Sequence, residues 1–177
     1  RSASDSWVVF SAFDTSTYTY GFLTSGGFAS QAYGSGSRMY AKPTASQFSL
    51  TDYASMNGSG QTYIAYLFAS VAGISKVGSY TGTGSDLNVD CGFSAGARFI
   101  LIKRTDGSGD WYLYDSVRGI VAGDDPYTLL NSTTVQVTNT DFIDPLSSGF
   151  TVTAAAGASV SPGFNTNNGE YLFLAIA

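Results

Sequence analysis

Pieces of the first 69 residues return later in the chain in the same order, and this duplication constrains the fold more than any other feature. Trp7-Val8-Val9-Phe10 returns as Trp111-Tyr112-Leu113-Tyr114, Gln47-Phe48-Ser49-Leu50 as Gly149-Phe150-Thr151-Val152, and Asn57 to Ala69 as Asn165 to Ala177. The offsets are 111 − 7 = 104, 150 − 48 = 102 and 171 − 63 = 108, a drift that loop insertions absorb. The pattern predicts two tandem related units, residues 1–70 and 71–177, able to pack as one compact body. The second is complete. The first lacks the parts corresponding to Gly78 to Gly84 and to Phe99 to Ile102, so the chain is expected to begin inside a repeat.

Each recurring piece is of strand type. Phe99-Ile100-Leu101-Ile102 and Trp111 to Tyr114 are β-branched and aromatic runs flanking Asp106-Gly107-Ser108-Gly109-Asp110, which reads as a β-hairpin closed by a glycine-bearing turn. Trp7 to Phe13 and Tyr18 to Leu23 form another strand pair, and the glycine-rich stretch from Ser25 to Ser37 reads as a surface loop. Phe48 and Leu50 mark a short strand. Thr62 to Ser70 is almost continuously apolar and short for a helix, which predicts a central strand buried on both faces, with Tyr171 to Ala177 as its counterpart. Gly78, Gly82 and Gly84 alternate with Tyr80 and leave one face bare for something large to lie against. Alternation resumes from Leu87 to Phe93, and Asp144 to Gly149 reads as a turn before a strand at Phe150 to Ala154. Strong helix formers are sparse, with Glu170 the single Glu, so few helices or none are expected. The fold class is therefore all-β, an antiparallel β-sandwich or jelly roll, with Trp7 and Trp111 in equivalent buried positions.

The chemistry that the composition allows is narrow. A net charge of −5 with eight scattered basic residues opposes nucleic acid as a partner, and no apolar run is long enough for membrane insertion. Histidine is absent, and Cys91 is alone in a strand-like setting that makes it a small buried hydrophobe. Asp106, Ser108 and Asp110 alternate as calcium ligands do, but no distal Glu completes the set and a turn is the plainer reading. Asp124 with Asp125 and Asp141 with Asp144 are candidate acid pairs of the kind used in glycoside hydrolysis, although Asp is also the ordinary residue of turns. Asp115 and Arg118 form a potential ion pair beside the hairpin, with Asp14 but no Arg in the first copy. Tyr, Asn and Asp around glycine loops also suit stacking on sugar rings. No catalytic residue, metal ligand or cofactor is assigned.

From Gly73 to Ala177, the order Gly78-x-Tyr80-x-Gly82-x-Gly84, Gly92-Phe93, Leu101-Ile102-Lys103-Arg104, Trp111, Asp115 with Arg118, Leu130-Asn131, Gly149-Phe150 and Asn165 to Ala177 resembles a domain of uncharacterised structural proteins of tailed bacteriophages, marine and cyanobacterial ones especially. Residues 1–69 resemble the later two-thirds of a preceding copy. The resemblance implies a non-enzymatic place in a virion, as tail fibre, tail appendage or head decoration. The implied partners are other virion proteins, further copies of the chain and a host-surface glycan. A carbohydrate-binding adhesin module is the alternative.

Overall fold

The computed structural model describes residues 7–13, 16–158 and 163–177, and these form thirteen strands and two single-turn helices. Every strand pair is antiparallel. The all-β class read from the sequence is what the chain adopts. It divides into two compact units, one of Arg1–Leu23 with Phe28–Leu67 and the other of Thr24–Gly27 with Phe68–Ala177.

In the first unit β1 (Val8–Ser11) pairs with β2 (Thr17–Phe22), Val8 standing opposite Phe22, and β3 (Ala29–Ala32) joins the far side of β2. The stretch expected as a loop from Ser25 to Ser37 thus contains a strand. Its Ala-Ser-Gln-Ala sequence has little strand propensity, but the free edge of β2 supplies partners for its backbone groups. A second sheet joins β4 (Met39–Ala41) to β5 (Ser49–Leu50), followed by the helical turn α1 (Ala54–Asn57). Tyr18 is the centre of this unit, 1% exposed, with the Phe10 and Tyr33 rings 5.8 and 5.2 Å away. Its hydroxyl donates to Gln31 Oε1 at 2.6 Å and accepts the amides of Arg38 at 2.8 Å and Met39 at 3.1 Å.

The second unit holds two sheets over one core. Its larger sheet contains β6 (Ser75–Thr81), β8 (Phe99–Arg104), β9 (Trp111–Asp115), β10 (Thr128–Leu129) and β13 (Glu170–Ile176), in the order β10-β9-β8-β13-β6. The smaller contains β7 (Leu87–Asp90), β11 (Ile143–Leu146) and β12 (Gly149–Val152), in the order β11-β12-β7, with the helical turn α2 (Ala155–Ala158) after it. Ile102, Tyr114 and Phe173 from the larger sheet meet Val89, Ile143 and Phe150 from the smaller, giving a sandwich-like body. The Phe150 and Phe173 rings meet edge to face at 5.4 Å.

Several local readings hold. β8 and β9 form the expected hairpin, Ile102 opposite Tyr112, and Cys91 is buried. The bare glycine face of β6 lies on an aromatic ring, since a Cβ on Gly78 would stand 2.7 Å from Phe173. The turn expected from Asp144 to Gly149 is shorter. Asp144, Pro145 and Leu146 already belong to β11, and Pro145, opposite Phe150, is tolerated because β11 is an edge strand.

Two expectations fail, both in the first unit. Thr62 to Ser70 is not a buried central strand: it has no strand structure, and Ile64, Tyr66 and Leu67 are 66%, 68% and 73% exposed. Trp7 is not buried like Trp111 either, being 50% exposed against 4%. In the second unit β13 is flanked by β6 and β8, and Trp111 stands opposite Lys103 of β8. A strand patterned for burial on both faces stays exposed when it has no neighbour on either side.

Candidate functional site

Four of the acidic residues singled out above, Asp106, Asp110, Asp115 and Asp125, bond the protein's own amides and cations. Asp106 pairs with Arg104 at 2.8 Å, a contact that holds its carboxyl below the ordinary range, and Asp110 accepts the Asn131 amide at 2.8 Å. Asp115 pairs with Arg118 at 2.7 Å and caps the amides of Val117 and Arg118, while Arg118 also reaches Thr128. The ion pair thus ties the loop after β9 back to β10, and the Asp14 counterpart lies outside the described residues. Among the described residues no group of three Cys, Asp or Glu is placed to hold a metal ion. Burial pushes the Cys91 thiol up to about 11.

Asp125 is no partner for Asp124 in an acid pair. Its side chain is fully buried and accepts the amides of Val121 at 2.9 Å and Ile143 at 3.0 Å. Loss of water pushes its carboxyl up to about 6, the two amides pulling it down and the nearby Asp141 and Asp144 adding to the rise. The sequence reading missed Lys103 altogether. It is fully buried and donates to the carbonyls of Gly109 at 2.6 Å and Ser25 at 3.3 Å, with its ammonium lowered to about 8 by burial against the pull of Asp110. Alternation does not point to it, since Lys103 shares the face of Phe99 and Leu101 and not that of the core residues Ile100 and Ile102; its burial comes from Trp111 opposite and from the loop carbonyls it bonds. Both groups are buried and bonded to the protein's own backbone.

The surface that stands out is the uncovered apolar stretch of the first unit. From Gly58 to Ser75 there is no charged residue. Phe48, opposite number of the fully buried Phe150 in the duplicated pattern, is 40% exposed, and Trp7 touches only Tyr66, at 5.5 Å between rings, among the aromatic contacts described. Edge and strand segments of soluble proteins are ordinarily guarded by charge. This one is not, and Ile64, Tyr66 and Leu67 stand exposed along it.

The same hydrogen bonds recur around that surface and around the finished core of the second unit. Leu23 donates to the Trp7 carbonyl and Leu130 to the Trp111 carbonyl; Thr51 donates its amide to Arg38 and Thr153 to Phe142. The Thr51 hydroxyl bonds the Ser37 carbonyl, and that of Thr153 bonds the Asp141 carbonyl. Tyr63 accepts the Gly58 amide at 2.8 Å and Tyr171 the Thr166 amide at 3.0 Å, after turns with positive φ at Gly60 and Asn168. Asn57 and Asn165 donate to the carbonyls of Thr51 and Thr153 at 3.0 and 2.9 Å.

A family model described as Domain of unknown function (DUF7483) matches residues 1–177. No curated protein and no solved structure matches the chain. No helix among the described residues is long and apolar enough to cross a membrane.

Proposed function

The chain belongs to the DUF7483 family, and we propose that it is a non-enzymatic structural module of a tailed-bacteriophage particle, part of a tail fibre, a tail appendage or a head decoration. The observation that carries this reading is the uncharged apolar stretch around Ile64, Tyr66 and Leu67, which stands exposed. Such a stretch suits a component that is completed by assembly. The polar groups support the same reading: Lys103, Asp106, Asp115 and Asp125 hold loops and strand ends. Two tandem units further suit a repeating appendage, in which modest contacts add up.

Mass spectrometry of purified particles from a phage encoding the chain tests this reading. Stoichiometric recovery of its peptides is the expected result, and their absence from intact particles overturns it. A carbohydrate-binding adhesin is the competing reading, favoured by Tyr40 and Tyr53, which remain 61% and 40% exposed. Saturable binding to host-surface polysaccharide that is lost in Tyr40→Ala, without incorporation into particles, would favour it.

A further inference from the structure

We infer that the first unit is an acceptor for a β6-to-β8-like segment, a polypeptide with the strand pattern of residues 74–104 that pairs on both sides of Thr62 to Ala69 and covers Trp7 and Phe48. The inference rests on the tandem-unit reading and not on the particle assignment.

The Val8–Phe22, Val9–Gly21 and Met39–Leu50 pairs and the closing-turn bond of the first unit correspond to the Tyr112–Leu129, Leu113–Thr128 and Ile143–Val152 pairs and the turn before β13, while the register of β4 with β5 shifts beyond Met39. Tyr18 and Asp125 differ in chemistry but share a task, taking the amides of Met39 and Ile143. What has no match in the first unit is β6, β7 and β8. In the second unit these strands occupy both sides of β13 and the free side of β12.

Asn57 and Asn165 make the gap specific. Both donate to the threonine carbonyl that follows the preceding strand. Asn165 also donates to Ser85 at 2.8 Å and accepts the Thr83 amide at 3.0 Å, both from the β6–β7 connection, and is fully buried. Asn57 is exposed. The side chain that would latch such a connection is in place and the connection is not.

The interface to be made is already present in the molecule as the β6·β13·β8 pairing, and the docking segment is uncharged as β13's paired faces are apolar. A second copy cannot donate its own β6 to β8 without opening its own core, so exchange between copies gains no pairing. Strand addition is the mode, with backbone bonds giving affinity and alternate side-chain pockets giving selectivity.

The test adds residues 74–103 ahead of Arg1 in the full chain, so that Arg1 takes the place of Arg104, with a scrambled insert of the same composition as control. Amide hydrogen exchange over residues 62–69 is expected to slow by about a hundredfold or more with the native-order insert and not with the scrambled one. Amides of β8, β9 and β13 report in the same spectra that the second unit stays folded. If the insert impairs folding, the synthetic peptide 74–104 added in trans to the unaltered chain gives the same readout. Equal exchange with both inserts and with the peptide overturns the inference. So does protection of residues 62–69 in the unaltered chain, whether at all dilutions, meaning an internal partner, or only on concentration, meaning a second copy.

Discussion

The carboxylate of Asp125 accepts the amide of Ile143 at 3.0 Å in the place where the hydroxyl of Tyr18 accepts the amide of Met39 at 3.1 Å. A neutral oxygen does this work in one unit and an ionisable one in the other, so only the second unit gains a pH dependence from it. The folded-state carboxyl at about 6 lies above the ordinary carboxylate value. Its contribution is therefore complete below the unfolded value near 4 and is lost as pH rises through about 6, on the order of 2–3 kcal/mol in all. Urea titrations from pH 4 to 7 should show this fall in the parent chain and a flatter profile in Asp125→Ala. At pH 7 the variant should lose about 2–4 kcal/mol, because two buried amides lose their acceptor, and the deficit should widen towards pH 4. An unchanged pH profile in the variant would count against the assignment.

Lys103 carries the opposite sign. Its folded value of about 8 lies below the ordinary lysine value of 10.5, so the folded state binds fewer protons between the two. Stability should rise as pH increases from about 8 towards 10, by up to about 3 kcal/mol. Tyr80 and Tyr114, held well above 10 by burial, bring the opposite slope only above about pH 10, where the unfolded chain begins to lose their protons. Lys103→Met should abolish the rise while shifting stability at pH 7 by only about 1 kcal/mol, since a buried charge is removed with its carbonyl contacts. Thermal scans at pH 7, 8, 9 and 10 read both outcomes.

Tyr114 is fully buried, and its hydroxyl has no hydrogen-bond partner among the described residues. Its ring packs on Tyr127 at 5.6 Å and Phe164 at 6.1 Å, contacts that phenylalanine keeps. Tyr114→Phe should leave stability unchanged or raise it by about 1 kcal/mol. A loss of more than about 1 kcal/mol in urea unfolding would show that the hydroxyl is bonded after all.

The two tryptophans separate a shared pattern from a shared environment. Trp111→Ala should cost about 3–5 kcal/mol, as for a large core side chain, and Trp7→Ala only about 1 kcal/mol. Differential scanning calorimetry on the two variants decides it; equal losses would place both rings in the same surroundings.

Local sequence carried the fold class and most of the second unit. The hairpin of β8 and β9, the glycine face of β6 against Phe173 and the Asp115–Arg118 tie all depend on residues whose partners are near in sequence or whose pattern is strong. Thr62 to Ser70 was misread for a non-local reason. Its side chains have the pattern of β13, but a strand exists only through neighbours, and none of the described residues pairs with it as a strand. β3 was missed because backbone pairing, not Ala-Ser-Gln-Ala, makes it a strand. Asp125 looked like a turn residue before Pro126, and only its alignment with Tyr18 betrays an inward role. Trp7 and Trp111, alike in the sequence pattern, differ wholly in burial.

Pro145 sets a direction on any growth of the body by added strands. Its nitrogen has no proton to offer, and it lies in β11 at the rim of the smaller sheet. A newcomer laid along that rim would find a donor missing, so β-strand addition is disfavoured on this side of the smaller sheet.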